Sequence, residues 1–327
     1  MRTRKVYRDQ KLEGDRRERS FGITANDLQV AVEIVQKLVP PTPQIRLTLP
    51  NSSGDHDLVL KLETSAPTGS FKVRGATHFF EKYISSRRAT TNQFITASTG
   101  NHGVSLAWVG RQFGQQVTVV VPAVIPQAKL QKLQNTGAKV ILHGQTLDDA
   151  IRWARLTFNE EGSIFIPSFN PDIILGHSTL GTEIFTSEYQ LSRIYFPIGL
   201  GSGILGLALA RDVLSPKTEI FGIVPERCDA WAKSFDAGMP IKVNPGPTIA
   251  DGLRTAQPDY DMWRVLRPRI AGVLRVSEKE IQTAQSLCAS YLNIKPEGAG
   301  VVGLAGLLRY SKPETRKEGL ELAVICG

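Results

Sequence analysis

The sequence predicts an α/β protein built on mostly parallel, twisted sheets flanked by helices. Two observations carry this. Short runs rich in β-branched residues, each bounded by Gly, Pro or Ser, alternate with longer helix-like stretches. The alternation spans nearly all of the 327 residues, and strand, helix, strand in succession places neighbouring strands parallel.

The strands are predicted in order. LVLKLE at 58–63, QFITAS at 93–98, QVTVVVP at 116–122 and KVILHG at 139–144 come first. SIFIPS at 163–168, RIYFPI at 193–198 and EIFGIVPE at 219–226 follow. The helical stretches are FKVRGATHFFEKYIS (71–85), NHGVSLAWVGRQFG (101–114), PQAKLQKLQNTG (126–137), TLDDAIRWARLTFNEEG (146–162) and GILGLALARDVLS (203–215). Three of these end in Gly, a residue that closes many helices. The pattern itself sets no domain boundary; the division expected is a charged extension (1–24), a small domain (90–170) and a large domain formed by 25–89 with 171–327.

Composition is that of an ordinary soluble globular protein, 41% hydrophobic and 21% charged. No apolar run is long enough to span a bilayer, and no signal-like region opens the chain. Cys228, Cys288 and Cys326 show neither metal-ligand nor redox spacing, which points to a reduced, cytoplasmic setting. Half of the net charge of +8 lies in residues 1–20, with eight Lys/Arg against four Asp/Glu. That arm reads as a solvated extension, and without aromatic interleaving or a motif it does not indicate a nucleic-acid partner.

Three loops carry the chemistry. In SAPTGSFKVRGA (65–76), Lys72 leads a helix, where the positive end of the dipole makes a cation unwelcome. The placement implies an anionic neighbour or an amine needed without its proton, and a helix start lowers a lysine pKa. In ASTGNHG (97–103), Gly100 and Gly103 allow close backbone approach, while Ser98, Thr99 and Asn101 bring short polar groups and His102 follows. The next helix would point free N–H groups at a carboxylate or phosphate, or simply be capped with nothing bound. In PIGLGSGILG (197–206), Gly199, Gly201 and Gly203 flatten a turn carrying Ser202, a phosphate cradle by the same physics. Gly201, Gly203 and Gly206 also match G-x-G-x-x-G, with Glu226 as a candidate ribose-binding acid, so a nicotinamide enzyme competes on this loop alone. A cradle, an anion-binding loop and a helix-leading lysine together suit pyridoxal 5′-phosphate: phosphate on the glycine loop, Schiff base on Lys72, substrate carboxylate on the STGN loop.

With PTGSFKVRGA, STGNHG, PIGLGSG, TIADGLR (248–254) and PEGAG (296–300), the chain resembles the fold-type II pyridoxal-phosphate enzymes from about residue 25 onward. Within them it is similar to the threonine and serine dehydratases and serine racemases. The resemblance implies a two-domain, tryptophan synthase β-like fold. It implies Lys72 as Schiff-base lysine, Phe71 packed on the cofactor and Asn101 on its 3′ oxygen. Gly199, Leu200, Gly201, Ser202 and Gly203 would hold its phosphate. Ser98, Thr99, Gly100, Asn101 and His102 would line the substrate-carboxylate loop. Glu297 would stand near the ring and Cys326 against the pyridine nitrogen. The implied partner is a small amino acid, the implied assembly a homodimer. The implied activity is an ammonia-lyase acting on threonine, serine or a related β-hydroxy amino acid. An amino acid racemase and a β-replacement synthase are the alternatives. Some relatives bind a divalent cation near PERCDAW, but Val224 and Ala230 stand where its carboxylates align, so no metal is expected.

Overall fold

The computed structural model describes residues 22–51, 54–86, 93–158, 162–311 and 318–326. The charged extension expected at 1–24 lies outside them, apart from its last three residues. The strands are β1 (Gln44–Asn51), β2 (Gly54–Leu62), β3 (Gln93–Ala97), β4 (Val117–Val121), β5 (Lys139–Leu142), β6 (Ser163–Phe165), β7 (Leu191–Pro197), β8 (Glu219–Pro225), β9 (Gly272–Val276) and β10 (Leu320–Ile325). The helices are α1 (Ala25–Val35), α2 (Lys72–Ser85), α3 (Asn101–Gln112), α4 (Gln127–Gln134), α5 (Leu147–Thr157), α6 (Pro171–Phe185), α7 (Ser202–Leu214), α8 (Ala230–Ala237), α9 (Tyr260–Leu266), α10 (Glu278–Leu292) and α11 (Gly298–Tyr310).

Two sheets result. The four-stranded sheet runs β5-β4-β3-β6 and is parallel throughout. The six-stranded sheet runs β1-β2-β10-β7-β8-β9, with β1–β2 the antiparallel pair. Helices cover both faces, so central strands such as VTVVV in β4 are nearly continuous apolar runs. The α/β class and mostly parallel sheets match the sequence reading. Four helices are shorter than expected: α2 starts at Lys72, α3 stops at Gln112, α4 spans Gln127–Gln134 and α5 spans Leu147–Thr157.

Helix α2 is held from two sides. Against α6 it packs backbone to backbone: a Cβ on Gly75 would stand 2.6 Å from His177 Nε2 and 2.7 Å from the Ile173 carbonyl. Behind it lies a buried set of charges. Arg74 donates to Glu63 through Nε (2.9 Å) and Nη2 (2.8 Å), and to Glu183 through Nη1 (2.6 Å). Lys61 Nζ donates to Glu183 Oε2 (2.6 Å) and to the Thr42 carbonyl (2.8 Å). Two cations thus face two carboxylates, each hydrogen-bonded, which is the condition for burying charge at all. The first residue of the helix so held is Lys72.

Candidate active site

Residues from both sheets and from the loops that follow their strands line a cavity of about 400 Å³. Phe71, Lys72, Ser98, Thr99, Gly100, Asn101, His102, Gly199, Leu200, Gly201, Gly203, Glu297 and Cys326 all line it. The predicted residues, scattered over more than two hundred positions, therefore converge. Ser202 joins them through a hydrogen bond: Lys72 Nζ donates to Ser202 Oγ at 3.0 Å. Leu200 lines the cavity but keeps its side chain half exposed.

The helices differ in how they begin. Thr24, Thr146 and Ser277 close α1, α5 and α10 with capping boxes, and Asn170 and Asp259 cap α6 and α9. No side chain caps α2, α3, α7 or α11, whose first turns reach the cavity. Ser98 does not cap α3; its Oγ accepts from Gly100 N (3.2 Å) instead. The open N–H groups at these termini are ready anion sites. At α7 the turn is made by Gly201, at φ 99°. A Cβ there would meet Met262 Cγ at 2.8 Å, so only glycine leaves the backbone this close to a ligand.

Burial sets the protonation states. It pushes Lys72 down to about 8. His102 is pushed down to about 3, chiefly by burial and further by the neighbouring Lys72, so its imidazole is neutral. Burial drives the Cys326 thiol well up, and the residue stays protonated, its backbone N–H donating to the Gly300 carbonyl at 3.0 Å. Phe71 packs edge-on against His177 and Phe196 and lies 4.8 Å from Lys72 Nζ. Asn101 Nδ2 donates to Glu297 Oε1 at 2.7 Å.

Sequence reasoning missed the charged rim. Lys129 and Lys132 of α4, Arg155 of α5, and Asp251 and Arg254 also line the cavity. Lys129 pairs with Asp251 at 2.5 Å, and Lys132 donates to Asn101 Oδ1 at 3.0 Å. TIADGLR signalled Asp251 and Arg254, whereas nothing local distinguishes the lysines of QAKLQKLQ from a solvated face. The dinucleotide alternative loses its acid: Glu226 lies away from the lining and accepts from Arg309 at 3.1 Å. Val224 and Ala230 are buried and apolar. Among the described residues no three His, Cys, Asp or Glu side chains group to hold a metal.

The residues present fit pyridoxal phosphate: an amine with lowered basicity, a backbone cradle at an uncapped helix, and an apolar ring beside both. Comparison with known proteins agrees. The family model for pyridoxal-phosphate dependent enzymes matches residues 35–327. The catabolic L-threonine dehydratase of Escherichia coli is 32% identical over 83% of this chain and 82% of its own. The processed form of threonine deaminase isoform 2 from Solanum lycopersicum superposes with a TM-score of 0.81 at 25% identity, over 94% of this chain and 85% of that one. Serine racemase from Dictyostelium discoideum does so with a TM-score of 0.79 at 28% identity, over 94% and 98%.

Proposed function

The chain belongs to the pyridoxal-phosphate dependent enzyme family, and from that premise we propose that it is an ammonia-lyase for threonine, serine or a related β-hydroxy amino acid. Its products are a 2-oxo acid and ammonia. The observation that carries the reading is the Lys72 amine, 3.0 Å from the first residue of the uncapped helix that follows the glycine turn.

When bound, pyridoxal phosphate supplies an aldehyde for amines and a ring that takes up the electron pair left on Cα. The chain does the rest. Gly199 to Gly203 and the open end of α7 hold the phosphate. The STGN loop and the open end of α3 hold the substrate carboxylate, fixing Cα over the cavity floor. Lys72, neutral in a large fraction of molecules near pH 8, takes the Cα proton on Nζ. Ser202 Oγ, already its acceptor, steadies the amine. Cys326 remains a thiol and places no negative charge at the pyridine nitrogen, unlike a carboxylate. Water leaves across Cα–Cβ, and the enamine released takes up water to give the 2-oxo acid and ammonia.

The reading includes the division near residues 90 and 170, which the two separate sheets support. It includes a cytoplasmic setting, supported by three free, buried cysteines, and a homodimer, which light scattering would test. Among the described residues no helix is long and apolar enough to cross a membrane.

Incubation with a panel of β-hydroxy amino acids, following 2-oxo acid and ammonia, tests the activity. Release of both from L-threonine or L-serine is expected. Conversion of L-serine to D-serine without pyruvate would place the chain with the racemases. That reaction needs an acid–base group on the face opposite Lys72, and Thr99, whose methyl restricts its rotamers, is the candidate there.

A further inference from the structure

Asn101 is held by two groups of opposite kind. Lys132 Nζ, from the last turn of α4, donates to its Oδ1 at 3.0 Å. Glu297 Oε1, from the residue preceding α11, accepts from its Nδ2 at 2.7 Å. An ammonium can only donate and an ionised carboxylate only accept. The amide is therefore fixed in one sense: turned over, it would set its NH2 against the ammonium and its carbonyl against the carboxylate. Lys132 also reaches Asn101 from the helix whose Lys129, one turn earlier on the same face, grips Asp251 on the opposite side of the cavity. Helix α4 thus reaches the rim twice, and only one of the two contacts touches a cofactor-facing side chain.

We propose that Lys132 is a positioning residue that sets the orientation of the Asn101 amide, so that its NH2 and not its carbonyl faces the cofactor side of the cavity. The inference rests on the reading of Asn101 as a donor to the cofactor's 3′ oxygen. An acceptor oxygen on the cofactor needs the NH2, and an amide free to turn would offer it only part of the time. Lys132 removes that freedom by holding the carbonyl end of the amide.

The test is titration of the cofactor-free protein with pyridoxal phosphate, followed by the visible absorbance of the bound form, with urea unfolding of the same cofactor-free samples alongside. Lys132→Ala is expected to weaken binding about tenfold, the loss of one hydrogen bond to a charged donor, with an unchanged unfolding midpoint. Lys132→Arg keeps a donor and is expected to stay within about twofold of wild type. Lys132→Glu offers an acceptor, draws the NH2 outward and is expected to bind more weakly than Lys132→Ala. In an Asn101→Ala background, Lys132→Ala is expected to add nothing, because its effect passes through the amide. Equal binding by wild type and Lys132→Ala overturns the inference and leaves the cofactor reading standing. So does an undiminished Lys132 effect in the Asn101→Ala background, or a fall in urea midpoint that accounts for the whole change. A wild-type protein that captures no pyridoxal phosphate overturns both.

Discussion

One charge network lies behind α2 and another at the cavity rim, and they differ in one respect. Behind α2, Arg74 and Glu63 are fully buried and Lys61 and Glu183 nearly so. At the rim, Lys129 is 28% and Asp251 44% exposed, and Lys132 is exposed beside Asn101. The chemistry is the same, ammonium or guanidinium against carboxylate or amide. The surroundings assign different work. In a dry site a charge that loses its partner has no water to turn to, so the buried set locks α2 and places Lys72. At the rim water competes for every group, so those contacts orient side chains and add little to global stability.

The largest effect expected from breaking this contrast is on Arg74. Arg74→Met removes the cation that Glu63 and Glu183 share, and urea denaturation is expected to show a loss of about 3–5 kcal/mol. Lys129→Ala, cutting a rim pair, is expected to cost no more than about 1 kcal/mol. Similar losses for the two would erase the distinction between the networks.

That contrast is also where the sequence stops being legible. Strands buried on both faces announced themselves as short β-branched runs, and LVLKLE, QFITAS and EIFGIVPE lie where expected. Strands β1, β9 and β10 did not. LELAVI in β10 carries a glutamate, and its place between β2 and β7 joins distant parts of the chain. Such pairing has no local signature. The site divides in the same way. Glycine turns and the lysine at a helix start show their function locally, because backbone geometry demands those residue types. Lys61, Glu63, Arg74 and Glu183 are each ordinary in their own segments, and only the fold makes them a set. Lys132 sits in QAKLQKLQ, whose pattern is that of an ordinary surface helix.

Next in size is the pH dependence of the cofactor-free protein. Lys72 titrates near 8 when folded, against 10.5 in its ordinary state. The unfolded chain therefore holds the extra proton between those values, and this residue's contribution to stability rises as pH climbs from about 8 to about 10.5. Lys72→Met, which buries no charge, is expected to be more stable than wild type at pH 7, with the gap closing over that window. A gap that stays constant would show that burial does not lower the lysine's pKa.

The smallest effects separate rim from interior by screening. Raising salt from 0.1 to 1 M shortens the Debye length from about 10 to about 3 Å. The stability difference between wild type and Lys129→Ala is expected to vanish, and that for Arg74→Met to persist. A chelator is expected to leave activity unchanged, since Val224 and Ala230 present no side-chain oxygen. Loss of activity restored by magnesium or calcium would contradict this.

Borohydride reduction of the protein loaded with pyridoxal phosphate, followed by peptide mass mapping, tests the central claim most directly. The account predicts one covalent addition of the reduced cofactor, on Lys72. Addition spread over surface lysines with Lys72 unmodified would contradict it.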